Sequence, residues 1–98
     1  MASPTIVSGA DVSAIRDLRR IPGVGPAIAR DLLLLGVRRV SDLHGRDPQD
    51  LYDKFNRLTG VRNDRCLLYV FRCAVYYASS TRRDPGKLKW WYWKDALR

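Results

Sequence analysis

Between Ile21 and Ile28 the chain reads Ile-Pro-Gly-Val-Gly-Pro-Ala-Ile, and the chemistry open to such a stretch is anion binding by the main chain. Gly23 and Gly25, one residue apart, allow positive φ and close backbone approach. Pro26 suits the first position of a helix, where its missing N–H costs nothing. The N–H groups of the turn and of the first helical residues then point outward together, and the helix dipole adds to their pull on negative charge. Arg20, Arg30, Arg38, Arg39, Arg62 and Arg65 supply formal charge for the same kind of partner.

Two further groups of residues have the types for nucleic-acid contact. Arg65, Tyr69, Arg72 and Tyr76 follow one another at intervals of four, three and four, so they share one face of a helix. Such a stripe can grip phosphates and stack on unpaired bases, or it can be a solvated face whose Tyr rings close the core edge. Trp90, Trp91 and Trp93 beside Lys87, Lys89 and Lys94 suggest a stacking platform. Burial of Trp is worth more to a small domain, and Trp90, Trp93 and Leu97 lie at helical spacing, so docking onto the main body is the favoured reading.

Catalytic and metal chemistry find little support. His44 has no companion, Glu is absent, and no Ser/His/Asp or Cys/His arrangement recurs. Cys66 and Cys73, seven apart with no CxxC, read as two buried thiols in a reducing compartment rather than as a zinc or redox pair. The expectation is a binding protein, not an enzyme, with no cofactor beyond an ion.

The totals agree. Ninety-eight residues suffice for one small domain, here read as 1–98. Eighteen Lys and Arg against ten acids, all Asp, give a net charge of +8, which favours nucleic acid as partner. The N-terminal residues lack a basic start and an apolar run, and the apolar stretch near Cys66–Ala78 is interrupted by Arg72. A cytoplasmic protein with no membrane partner is expected.

The elements that must hold these residues follow from periodicity. Residues 1–10 read as a flexible tail. Asp11 or Ser13 can cap a first helix with Val12, Ile15 and Leu18 inward and Arg16, Arg19 and Arg20 outward. A second helix from Pro26 turns Ile28, Leu32 and Leu35 inward; Leu33 and Leu34 widen its apolar face, so it should be buried on most sides, and Gly36 stops it. Ser41-Asp42-Leu43 begins a brief helical turn. Asp47-Pro48 starts a third helix with Leu51, Phe55 and Leu58 inward, ended by Gly60. A fourth helix runs from about Asn63 to Ala78, its apolar face formed by Cys66, Leu67, Val70, Phe71, Cys73, Ala74 and Tyr77. Ser79–Arg83 is a polar linker, and Asp84-Pro85 opens the Trp-rich segment.

The two halves repeat. LRRIPGVGPAIARDLL aligns with FNRLTGVRNDRCLLYV at one constant offset, Leu18 on Phe55, Ile21 on Leu58, Gly23 on Gly60, Val24 on Val61 and Ala29 on Cys66, with Arg62 where the first copy has Gly25. One such unit cannot bury its own apolar faces, whereas two can share a core. The pattern of Ile21, Gly23, Val24, Gly25, Ile28 and Ala29 resembles the helix-hairpin-helix family of non-sequence-specific DNA-binding modules. Over most of its length, through IPGVG, SDLHGRDPQDLY, DRCLLYVFRCAVYYA and DPGKLKWWYWKD, the chain is also similar to the small bacterial "pathogenicity locus" proteins.

The resemblance implies an all-α bundle of about five short helices. A tandem helix-hairpin-helix core would span 11–80, its second copy degenerate, with a Trp-rich helical segment, 81–98, packed on it. It also implies a phosphate oxygen held by the N–H groups of Gly23, Gly25, Ala27 and Ile28, and a monovalent cation, K+ or Na+, on the carbonyls of Arg19, Ile21 and Val24. Pro26 and Ala27 stand where many family hairpins carry lysine, which leaves contact to the backbone donors and Arg30. Duplex or structured DNA is the expected partner. The alternative is a protein-interaction adaptor that docks a partner on the Trp-rich tail, for which two or more exposed Trp rings in one patch would speak.

Overall fold

The computed structural model describes residues 9–95, and among these it contains helices, turns and irregular chain but no strand. Four α-helices carry the fold: α1 (Gly9–Leu18), α2 (Pro26–Leu34), α3 (Pro48–Thr59) and α4 (Arg65–Ser79). Three single 3-10 turns, Val40–Leu43, Pro85–Leu88 and Trp90–Trp93, complete the regular structure. The expected fifth helix is therefore a pair of 3-10 turns. A tight turn of three residues brings positions i and i+3 to one side. Trp90 and Trp93 are the half-buried pair of that segment, whereas Trp91 and Tyr92 are exposed. Leu97 lies outside the described residues.

Local signals set most boundaries. α2 ends in a Schellman arrangement: Gly36 sits at φ +84°, its N–H donates to the Leu33 carbonyl at 2.9 Å, and the Val37 N–H reaches the Leu32 carbonyl at 3.0 Å. Asp47 accepts the Gln49 N–H at 2.9 Å, and Pro48 takes the first position of α3. Gly60, at φ +74°, closes α3. At the N-terminus α1 already includes Gly9 and Ala10, which the sequence assigned to a tail.

One hydrophobic cluster joins the helices. Leu18, Ile21, Leu32, Leu43, Leu51, Leu68 and Phe71 are shielded almost entirely. Each is worth about 1.5–3 kcal/mol relative to exposure. The expected apolar faces need four corrections. Val12 is exposed, and Ala14 is buried in its place. Leu34 is exposed because two positions beyond Leu32 is about 200° around a helix, so α2 hides only one face. Leu58, in register with Leu51 and Phe55, lies in the last turn of α3 and is exposed, while Tyr52 is buried with its hydroxyl donating to the Asn63 carbonyl. Cys66 shares a side of α4 with Cys73 but lies in the first turn, past the end of the core, and is exposed. Only Cys73 is a buried thiol, and burial pushes its pKa up to about 11.

Candidate nucleic-acid interface

The chain leaves α1 through successive tight turns. Arg19, Arg20 and Ile21 donate their N–H groups to the carbonyls of Ile15, Asp17 and Leu18, and Val24 donates to Ile21 at 3.0 Å. Ile21 and Val24 are buried and anchor the turn to the core, which leaves its glycines outermost. Gly23, at φ +87°, occupies a backbone region that favours glycine. Gly25 does not: its φ is −93°, and a Cβ built on it meets nothing within 4 Å. Of the two glycines expected to supply positive φ, only the first does so.

Beyond Gly25, α2 begins with no side-chain cap and no acid in its first turn. The N–H groups of Gly23, Gly25, Ala27 and Ile28 have no hydrogen-bond partner among the described residues, and Ala29 is the first satisfied, by the Gly25 carbonyl at 2.9 Å. Gly23 and Ala27 are exposed, and Gly25 and Ile28 are partly so. Of the three carbonyls expected to face a cation, that of Ile21 accepts the Val24 N–H, and those of Arg19 and Val24 have no partner among the described residues. Such neutral oxygens suit a monovalent ion.

The second corner, between α3 and α4, repeats the positive-φ glycine at Gly60 but not the free helix start. Asp64 caps α4, its carboxylate accepting the Cys66 N–H at 2.8 Å. That bond holds the Asp64 carboxyl below the usual carboxylate range. The chain has therefore placed its own negative charge where a phosphate oxygen would approach. α4 starts two residues later than the repeat implies, and the sequence signal was the Asp itself, a preferred cap.

The arginines divide into two sets. Arg20 pairs with Asp17 at 2.5 Å, Arg38 with Asp11 at 2.6 Å, and Arg65 with Asp95. Arg30, Arg39 and Arg62 are exposed and form no ion pair among the described residues. Asp17 also accepts the Val40 N–H at 2.9 Å, which is the main reason its carboxyl sits below the ordinary range. Tyr77 stands near Arg20 as well, and the Arg83 guanidinium covers the Tyr77 ring at 3.8 Å. Sequence reading did not connect either residue to the first turn, because the contacts cross from the end of α4.

The Arg–Tyr stripe on α4 is occupied by the chain itself. Asp95 is held by Arg65, by Arg72 at 2.8 Å and by the Tyr69 hydroxyl at 3.2 Å. Arg72 also donates to the Trp93 carbonyl at 2.8 Å, the Tyr76 ring lies 5.5 Å from Trp93, and the Tyr76 hydroxyl accepts the Asp84 N–H at 2.7 Å. The segment from Asp84 to Asp95 is thus strapped along α4. Midway along it, Trp90 reaches the first corner, where a Cβ on Gly23 would lie 3.7 Å from Trp90 Cδ1. An open groove of about 610 Å³ remains between strap and body, with Arg72, Tyr76, Tyr92, Trp93 and Lys94 among its walls.

Among the described residues there is no cluster of His, Cys, Asp and Glu that could hold a metal ion, and no helix long and apolar enough to cross a membrane. A mitomycin resistance protein from Streptomyces lavendulae is 32% identical over 77 residues, covering 79% of this chain and 70% of the relative. No solved structure is a significant match. The model of the family described as "Pathogenicity locus" matches residues 11–98, nearly the whole length, and the chain belongs to that family.

Proposed function

We propose that this protein binds DNA without sequence preference, through a helix-hairpin-helix formed by α1, the turn at Gly23–Gly25 and α2. On this reading α3 and α4 form a second, degenerate copy. The N–H groups of Gly23, Gly25, Ala27 and Ile28 hold a phosphate oxygen, with Arg30 one helical turn along α2 and Arg39 past the end of that helix adding charge. A monovalent cation on the carbonyls of Arg19, Ile21 and Val24 would sit between turn and phosphate and offset their mutual repulsion. No step of catalysis is involved, and the protein works in the cytoplasm, alongside its DNA.

The observation that carries this reading is Gly25. Its backbone angles suit any residue, no neighbouring atom requires a missing side chain, and yet the position is bare beside four unsatisfied donors. Gly serves as the helix cap here, but the backbone and the space would equally admit Ser or Asp, so its bareness supports an approach from outside. The net charge of +8 is consistent with the same partner.

The adaptor reading has less to draw on. Of the three Trp rings only Trp91 is exposed, so the expected patch of two or more is absent. An NMR titration with a short duplex at two salt concentrations tests the DNA reading. The amide signals of Gly23, Gly25, Ala27 and Ile28 should shift most, and less at the higher salt. Shifts confined to the strap, or none at all, would sink it.

A further inference from the structure

Trp91 is 53% exposed although its neighbours Trp90 and Trp93 are tucked against the body. The 3-10 turn that seats Trp90 and Trp93 on the body turns this position outward, but an outward position does not call for an indole, an expensive surface for a small protein to leave in water. Its setting is specific. Trp90 and Trp91 meet in a T-shaped pair, centres 5.8 Å apart and planes at 88°, which braces the exposed indole. Trp90 in turn rests against Gly23, which ties the platform to the anion-binding turn. The Lys89 ammonium lies 5.9 Å from the Trp91 ring, is exposed, and has no ion pair among the described residues.

A braced aromatic ring, a mobile lysine over it and a row of main-chain donors beyond Trp90 match the parts of a nucleotide. The flat apolar face suits a base, and the cation and amides suit the phosphates on either side of it. Bases inside a duplex are already stacked, so the only base such a platform can take is an unpaired one. We infer that Trp91 stacks on an unpaired base next to the phosphate held at the Gly23–Gly25 turn, so that the protein prefers DNA carrying a single-stranded overhang over blunt duplex. The inference rests on the phosphate-binding reading of the turn, and it adds the form of DNA that is selected. Charge favours this occupant over a protein surface, because the Lys89 beside the ring is unpaired among the described residues and the turn carries four open N–H donors.

The test compares Kd for two fluorescein-labelled DNAs of equal total length, a blunt duplex and a duplex with a short 5′ overhang. It uses wild type, Trp91→Ala, Trp91→Phe and Gly25→Val, each checked for unchanged helical circular dichroism. Wild type should prefer the overhang by about tenfold, the scale of one base–aromatic stack. Trp91→Ala should lose that preference and leave blunt-duplex affinity unchanged, and Trp91→Phe, which keeps a ring, should retain most of it. Saturating overhang DNA should also shield wild-type Trp emission from acrylamide.

If Trp91→Ala keeps the preference, or weakens both DNAs equally, the platform is overturned. Should Gly25→Val still lose affinity in that case, the phosphate reading stands without it. If Gly25→Val binds both DNAs as wild type does, the phosphate reading fails and takes this inference with it. If the overhang DNA binds but leaves Trp91 as open to acrylamide as before, the indole serves some other partner, such as a protein, and the inference is wrong.

Discussion

The two helix–turn–helix corners of this chain share a sequence pattern and differ in how the helix that follows begins. At the first corner Gly25 precedes a helix with no cap, and four N–H groups have no partner among the described residues. At the second, Asp64 folds back on the start of α4 and takes the Cys66 N–H for itself. Both corners keep a glycine in the left-handed region, Gly23 at φ +87° and Gly60 at φ +74°, because both chains must reverse there. The difference lies after the bend. A helix start satisfied by its own carboxylate has a donor fewer to offer than one left open.

The largest effect should come from exchanging the roles of the glycines. Gly25→Val puts a branched side chain over the open donors, at a backbone geometry that Val tolerates. Loss of a Gly cap should cost about 1 kcal/mol of stability. DNA affinity should fall about ten- to a hundredfold, the scale of lost hydrogen bonds to a charged group. Gly60→Val should do the reverse. Forcing a β-branched residue to φ +74° should cost about 1–2 kcal/mol, with the affinity of the folded fraction unchanged. Thermal melts and fluorescence anisotropy on the same two samples check both halves. Equal loss of affinity in the two variants would erase the distinction between the corners.

A smaller effect should separate Arg30 from Arg62. Both are exposed and without an ion pair among the described residues, but they stand at different corners. Removing a charge that neutralises a phosphate lowers the slope of log K against log salt by about 1. Arg30→Ala should do so. Arg62→Ala, beside the closed corner, should change affinity less and leave the slope close to that of wild type. A salt series from low to physiological ionic strength gives both numbers.

Much of this was legible in the residues, and the parts that were not share a cause. The bend at Gly23, the stop at Gly36 and the start at Asp47-Pro48 are local events, each set by a residue with one conformational property, and each lies where the sequence puts it. The fate of the Arg65–Tyr69–Arg72–Tyr76 stripe was not legible. Its spacing fixes a common face, but what covers that face is Asp95 and Trp93, more than twenty positions away. Exposure at Leu58 and Cys66 has the same origin. Periodicity assigns a side of a helix, and only the length of the neighbouring helices decides where the core ends. At Gly25 the sequence allowed either positive φ or close backbone approach, and φ −93° rules out the first of these as the use of that glycine.

The closed corner can be stripped of its charge while its cap is kept. Asp64→Asn keeps an oxygen to accept the Cys66 N–H and removes the charge that opposes a phosphate there. If that charge is what distinguishes the corners, DNA affinity should rise about two- to fivefold, the scale of one charge at a helix terminus. An unchanged Kd would mean that the shape of the Asn63–Asp64 approach, rather than its charge, keeps DNA away.

The smallest expected effects concern pH, and they too contrast two carboxylates, now both near the first corner. Asp17 is held below its ordinary range, chiefly by the Val40 N–H and then by Arg20. A depressed folded value contributes stability that is present above the unfolded carboxylate pKa and is lost as pH falls through the folded one. Asp31 on α2 is pushed the other way by burial. Its raised folded value means that its charge opposes folding at neutral pH, and the opposition fades as pH falls through that raised value towards the unfolded one. Asp17→Asn should therefore lower the melting temperature at pH 7 by a few degrees, on the scale of a hydrogen bond to a charged acceptor at about 1–2 kcal/mol. Asp31→Asn should raise it slightly. Both differences should shrink on titration from pH 7 to pH 3, because protonation neutralises the carboxylates that the variants replace. If Asp31→Asn instead lowers the melting temperature at pH 7, that carboxylate has a partner in solution whose attraction outweighs the cost of its burial.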